Sequence, residues 1–273
     1  MLLILQLSAP RSLMPRFAAN LSMLFTEHSF LDRFAAARAA GFDAVEFLFP
    51  YAYEPDEIAR RLDDNGLRLV LHNLPPGDWD RGDRGNACDP RRMGEFRAAA
   101  QTAVRYATRL HVPYVHCMAG IVPRGLDLRR AREAYIVNLQ YAADLLAPHG
   151  IGVTIEPING HDTPDYFLQD STQALDIIAA ADRPNLYLQY DIYHMHRMGE
   201  PVAQRLRDSL PSIRHIQIAD APGRHEPGTG EIDYPGLLAL LDELGYDGWV
   251  GCEYRPHGDT LAGLDWRRVI QIR

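Results

Sequence analysis

Four oxygen-bearing side chains each close a short apolar run: Glu156 in TIEPIN, Asp191 in QYDIYH, Gln217 in HIQIAD and Glu253 in GCEY. The steps from 156 to 191, to 217 and to 253 are each about one strand–helix unit, ~30 residues. If each run is a strand, the four side chains stand at equivalent strand ends. Burying three carboxylates side by side is costly unless something positive neutralises them. A divalent cation does this directly, and three carboxylates with one amide form a hard, all-oxygen donor set. Such a set selects Mg²⁺ or Mn²⁺ over zinc, which prefers His and Cys. A single buried Glu or Asp at a strand end is more often a structural ion-pair partner. The repetition on successive units is what favours a metal site.

Further candidates surround these four. His194 follows Asp191 by three positions, His72 ends the third apolar run and Glu46 lies in the second. With Arg224, in the loop PGRHEPGTGE, they are the candidate substrate contacts. An acidic substrate needs a cation, and Arg224 is the first choice for its carboxylate. Taken singly, a His is more often a core or surface residue than a ligand. His215 falls two residues before Gln217, on the same side of the strand and one layer deeper, and reads as a hydrogen-bonded interior residue. Cys117 and Cys252 read as packing, and Glu226 and Glu231 as solvated or tying their loop down.

The elements that position these residues can be read along the chain. Apolar runs occur at Phe17–Met23, Ala44–Phe49, Leu67–Leu74, Pro113–Met118, Ile151–Ile158, Leu186–Ile192, Ile213–Ala219 and Trp249–Tyr254. They are rich in Val, Ile, Leu and Tyr, as buried parallel strands are. Amphipathic segments alternate with them, including FLDRFAAARAAG, GEFRAAAQTAVRYATRL, DSTQALDIIAAA and YPGLLALLDELG. The last two begin at capping chemistry, and the last ends on Gly245. Eight such units in a chain of 273 residues predict a (β/α)₈ TIM barrel, an α/β fold. A doubly wound sheet would carry a Gly-rich phosphate turn after its first strand, but LSMLFTEHS stands there instead and no GxGxxG occurs. Barrel active sites lie at the C-terminal ends of the strands, where all four oxygen-bearing residues fall. The longest stretch without helical pattern, Leu74–Pro90, follows the third run and reads as a lid over that face or, failing that, as an inert insertion.

Composition excludes several chemistries. All 28 basic residues are arginine; without lysine there is neither a Schiff-base amine nor a P-loop lysine. A net charge of −8 argues against broad nucleic-acid binding. It leaves room for a small anionic substrate, because local cations override a global field. Three widely spaced cysteines, Cys88, Cys117 and Cys252, give neither a disulfide framework nor a thiolate zinc site and suit a reducing, cytoplasmic setting. No run reaches the ~18 apolar residues of a membrane span. Residues 1–13 read as an extension outside the fold, and 14–273 as one catalytic domain.

The stretches RFAANLSMLF, GFDAVEFLFPY, LHNLPPGDW, IEPIN, QYDIYHMHRM, HIQIAD, EPGTGEI and GWVGCEY resemble the hydroxypyruvate isomerase family within the xylose-isomerase-like barrels, from about Met14 to Trp266. The resemblance implies a divalent metal held by Glu156, Asp191, Gln217 and Glu253, and proton transfer by Glu156 and Glu253. It implies a small hydroxy-carbonyl acid as substrate, with hydroxypyruvate and tartronate semialdehyde interconverted. No nucleic-acid or membrane partner is expected, and a homo-oligomer is compatible with the reading. The wider superfamily often has His where this chain has Gln217, a departure that suits the hydroxypyruvate isomerase branch better than a ketose 3-epimerase. The sibling 2-oxo-tetronate isomerase shares the N-terminal motifs, while LHNLPPGDW and IEPIN favour hydroxypyruvate isomerase. A related endonuclease would need more metal-ligating histidines and a basic face. A non-catalytic metal-binding barrel would not need two opposed glutamates.

Overall fold

The computed structural model describes residues 15–271; the proposed extension, residues 1–13, lies outside them. Eight parallel strands close into a barrel in sequence order. They are β1 (Arg16–Asn20), β2 (Ala44–Phe47), β3 (Arg68–Asn73), β4 (Tyr114–His116), β5 (Gly152–Ile155), β6 (Leu186–Asp191), β7 (Ile213–Ile218) and β8 (Trp249–Cys252). The helices are α1 (Arg33–Ala39), α2 (Pro55–Asn65), α3 (Met93–Arg109), α4 (Leu128–Leu146), α5 (Ser171–Ala181), α6 (Ile192–Arg197), α7 (Val202–Ser209), α8 (Tyr234–Glu243) and α9 (Trp266–Gln271). The β1–β8 pairing, with Ala18 opposite Gly251, closes the ring. The eight expected strands are all present, but each ends before its apolar run does. Glu156 and Glu253 therefore sit one residue past β5 and β8. Apolar residues that leave the ladder still pack between barrel and helices, so hydrophobicity overshoots the last backbone pairing.

Side chains alternate along each strand, and the inward set changes character from one end to the other. At the N-terminal end, Ala18, Ala44, Val70 and Leu71 form a small apolar cluster backed by Tyr114 and Trp249. Above it the interior is polar: Asn20, Glu46, Thr154, Gln189, His215 and Gln217 are all buried and bond to one another across the barrel. Gly251 makes room for this layer, since a Cβ there would fall 2.3 Å from Glu46 Oε2. The main apolar core lies between the strands and the helical ring. Two expected helices start where capping predicts: the Asp170 carboxylate accepts from Gln173 N at 2.8 Å at the head of α5, and Asp233 accepts from Gly236 N at 3.1 Å at the head of α8.

The loop after β3 is a fixed structure. Leu74 N donates to His116 O at 2.9 Å, Cys88 N to Ala119 O at 2.8 Å, and Asn138 Nδ2 to Ala87 O at 2.8 Å. Arg92 grips Asp83 with two hydrogen bonds of 2.7 and 2.6 Å. Gly85, at φ 94°, lies so close to the β4 loop that a Cβ would sit 2.5 Å from Met118 O. The expected lid is thus clamped at its base, with its tip, near Trp79 and Arg84, over the barrel mouth.

Candidate active site

A cavity of ≈ 500 Å³ opens at the C-terminal face, and its wall includes Glu156, Glu253, His194, Arg224 and His116. Its volume is in the usual range for a small-molecule site. Asp191, fully buried, stands beside it at the β6–α6 junction. Its Oδ1 caps α6, accepting from Tyr193 N at 2.7 Å and His194 N at 3.3 Å. The cap explains why His194 follows three residues later: the first turn of α6 swings the imidazole back over the carboxylate, with Nε2 3.8 Å from Asp191 Oδ2.

Glu156 Oε1 and Asp191 Oδ2 are buried and have no hydrogen-bond partner. With His194 they offer donor atoms within 4.8 Å of one another. Two orphaned carboxylate oxygens converging on one point fit a hard cation, which would satisfy both. Burial pushes the Glu156 carboxyl well above the usual range, and the charges of Glu253 and Asp191 push it further. Burial also raises Glu253 to about 8 and Asp191 to about 6, in each case against the pull of Arg224. Without added positive charge this cluster takes up protons.

Gln217 belongs to the same cluster but is turned differently from a ligand. Its Nε2 donates to Glu46 Oε1 at 2.8 Å and also to Glu253, while its Oε1 accepts from Gln189 Nε2 at 2.7 Å. Gln189 Nε2 bonds Glu156 Oε2 as well, at 3.1 Å. The two amides thus run as a ladder between Glu156 and Glu253. Gln217 would have to turn its amide over to ligate a metal.

Arg224 occupies the wall through a strained turn. It lies in the left-handed region at φ 55°. The turn is held by Arg224 N donating to Asp220 O at 2.8 Å and Arg255 N donating to Arg224 O at 2.9 Å. The buried Asp220 carboxylate accepts from the backbone N–H groups of Ala221, Gly228, Gly230 and Ile232 and fixes the rest of the loop. Arg224 Nη2 donates to Glu253 Oε1 at 2.9 Å. Its charge therefore faces Glu253 directly, and its buried Nε has no partner.

Not every expected substrate contact reaches the cavity. Glu46 lies beneath it with both oxygens engaged, by Asn20 and Gln217 on one and by His215 at 2.6 Å on the other. It supports Gln217 from below rather than forming the cavity wall. His72 is fully buried on β3, below the mouth, with Nε2 unpartnered and its ring edge-on to Tyr51. His215 is the hydrogen-bonded interior residue expected of it, and Cys88, Cys117 and Cys252 are free and buried. Glu226 accepts from His257 N, and Glu231 pairs with His196, so both tie their loop down.

Sequence reasoning missed His116, which ends β4 and lies in the cavity wall. Neither ring nitrogen has a hydrogen-bond partner, and Nδ1 is 3.5 Å from Glu156 Oε2. Burial first, then the nearby His215, lowers its pKa to about 3, so it is neutral. The signal was present, since YVHCM also ends a run on a chemically active side chain. Trp79 and Arg84, from the tip of the β3 loop, complete the wall.

The model of the family described as xylose isomerase-like TIM barrel matches residues 34–270. The 2-oxo-tetronate isomerase of Cupriavidus necator is 51% identical over 255 residues, covering 93% of this chain and 97% of its own. The hydroxypyruvate isomerase of Escherichia coli is 46% identical over 253 residues, covering 93% and 98%. A crystal structure described as AP endonuclease, family 2, from Brucella melitensis superposes with a TM-score of 0.92 at 46% identity, covering 94% of this chain and 99% of that one. Among the described residues, no helix is long and apolar enough to cross a membrane.

Proposed function

Since this chain belongs to the xylose isomerase-like TIM-barrel family, we propose that it is a hydroxypyruvate isomerase, interconverting hydroxypyruvate and tartronate semialdehyde in the cytoplasm. The observation that carries the reading is the pairing of two buried glutamates, Glu156 and Glu253, in one cavity, beside the unpartnered oxygens Glu156 Oε1 and Asp191 Oδ2. The relatives that bear the isomerase names cover nearly all of the chain.

Glu156 and Asp191 would hold a divalent ion, Mg²⁺ or Mn²⁺, joined by Glu253 and by Gln217 once its amide turns. Such an ion, when bound, draws electron density from the substrate's carbonyl and hydroxyl oxygens and stabilises the negative charge that develops there. The residues of the chain do the rest. One glutamate removes a proton from the hydroxymethyl carbon of hydroxypyruvate; the electron pair moves into the new carbon–carbon double bond of the enediol. A proton is returned to the neighbouring carbon, and the hydroxyl proton passes from one oxygen to the other, so atoms balance with no co-reactant. A glutamate that also ligates an ion acts as base through its remaining lone pair. Arg224 holds Glu253 in place and offers its unpartnered Nε to a substrate oxygen. His194 faces the same space.

Exchange and turnover followed by NMR in D₂O, with Mg²⁺ or Mn²⁺ present, test the reading. Deuterium entering hydroxypyruvate as it converts to tartronate semialdehyde is the expected result. Turnover restricted to free ketoses would replace it with an epimerase, and absence of exchange on any hydroxy-carbonyl compound with a non-catalytic barrel. The 51% identity to a 2-oxo-tetronate isomerase favours a second reading in which the four-carbon acid is the better substrate. Comparison of kcat/KM for the two acids decides between them.

A further inference from the structure

We propose that Arg84, at the tip of the loop after β3, receives the substrate's carboxylate and sets the preference for acids over neutral hydroxy-carbonyl compounds. The inference rests on the isomerase reading and names the group that recognises its substrate class.

An anionic substrate entering this cavity meets Glu156, Glu253 and Asp162 in its wall. Even with an ion on the glutamates, a substrate carboxylate is best received by a cation that no protein carboxylate already pairs. Three arginines reach the wall: Arg84, Arg224 and Arg255. Arg224 lies 2.9 Å from Glu253, with its charge opposed where the proton moves. Arg255 is exposed, and a solvated rim charge contributes little. Arg84 is half-buried, and among the described residues no carboxylate forms an ion pair with it; its neighbour Asp83 is gripped by Arg92 instead.

Arg84 is also held ready. Its Nη1 donates to Trp79 O at 3.1 Å and to Asp83 O at 2.7 Å. Its guanidinium lies over the Trp79 indole with Cζ 3.8 Å from the ring centroid, and Trp79 packs on Phe49 at 5.1 Å. Both hydrogen bonds use the same nitrogen, which leaves the Nε–Nη2 edge uncommitted. That edge is the one with which Arg91 grips Asp89 in this protein, at 2.9 Å through each nitrogen. A planar fork with two parallel donors, stacked and restrained before the ligand arrives, matches a carboxylate and loses little freedom on binding it. A neutral three-carbon substrate lacks the anionic pair of oxygens that this fork matches.

The test compares the metal-loaded wild-type enzyme with Arg84→Met, which keeps an unbranched apolar chain against Trp79 but removes the guanidinium, Arg84→Lys, which keeps charge without the fork, and Arg81→Met, which removes a charge from the exposed tip of the same loop. The readout is kcat and KM for hydroxypyruvate, and the ratio of its kcat/KM to that for dihydroxyacetone. In Arg84→Met the ratio should fall by about 30-fold or more, mainly through KM, the scale of losing a charge-assisted pair. Arg84→Lys should fall between it and wild type, and Arg81→Met should keep the ratio. An unchanged ratio in Arg84→Met, with hydroxypyruvate still turned over, overturns the role of Arg84 and leaves the isomerase reading standing. An equal fall in Arg81→Met also overturns it, in favour of a diffuse field from the loop. A wild-type enzyme that turns over dihydroxyacetone but no acid overturns both.

Discussion

The Asn159 amide donates to His194 Nδ1 at 2.6 Å. The direction is fixed from the other side, because Asn159 Oδ1 accepts from the backbone N–H groups of His161 and Asp162 at 3.0 and 2.8 Å. Burial, reinforced by the charge of Arg224, lowers the His194 pKa well below its ordinary value, so the ring is neutral. A neutral imidazole whose Nδ1 accepts carries its proton on Nε2. That nitrogen lies 3.9 and 3.8 Å from Glu156 Oε1 and Asp191 Oδ2, and 3.3 Å from Arg224 Nη2, a donor that only the other tautomer could accept from. In this tautomer His194 donates from Nε2 to a substrate or carboxylate oxygen; ligating a metal through Nε2, or accepting from Arg224, takes the other tautomer.

Replacing Asn159 with Ala should release this tautomer. We expect kcat to fall by roughly 10-fold or more, the low end of acid–base contributions, with metal affinity nearly unchanged. Nitrogen-15 NMR of the histidines checks the cause: His194 should show a protonated Nε2 in the wild type and a mixture in the variant. A wild-type spectrum with the proton on Nδ1 would refute the assignment.

Glu156→Gln and Glu253→Gln each keep size and one oxygen while removing the base. Each should lower kcat by at least ~10²-fold with the circular dichroism spectrum unaltered. Near-normal turnover in Glu253→Gln would remove that residue from the proton path.

Stability of the metal-free protein should fall as pH rises. Glu253 and Asp191 hold protons to about 8 and about 6 in the fold but release them at ordinary carboxylate values when unfolded. The folded state therefore binds more protons between those limits. Its advantage is full below about pH 4 and is lost as pH climbs through 6 and then 8. Melting temperatures of chelator-treated protein should drop from pH 5 to pH 8, and saturating Mn²⁺ should raise them most at pH 8. A flat apo profile would show that the cluster is neutralised in another way.

His116→Asn tests the residue that ends β4. With its pKa lowered to about 3 by burial, the neutral ring serves as a hydrogen-bonding group without titrating. The variant should lose roughly 10-fold in kcat/KM, the scale of one hydrogen bond to a charged group, with no change in the shape of the pH–rate profile. A shift of the profile's acidic limb would mean that His116 titrates in the working enzyme.

Much of this was legible in the sequence because its information is periodic. Eight apolar runs alternating with amphipathic segments define the barrel, and the strand-end rule picked out Glu156, Asp191, Gln217 and Glu253 from one-dimensional spacing. The same alternation placed His215 below Gln217. The absence of lysine and the acidic balance removed whole reaction classes before any coordinate was needed. What spacing cannot carry is direction. Glu46 and Gln217 occupy the right strands, yet hydrogen bonds across the barrel decide that Glu46 supports from below and that Gln217 shows its nitrogen to Glu253. Arg224 was found by its loop, but only the turn held by Asp220 aims its charge at Glu253. Arg84 lay unnoticed in a stretch without period, and only the clamps on that loop bring it into the cavity. Strand order follows from local pattern, whereas the partner of each polar atom is chosen by residues that meet only when the barrel closes.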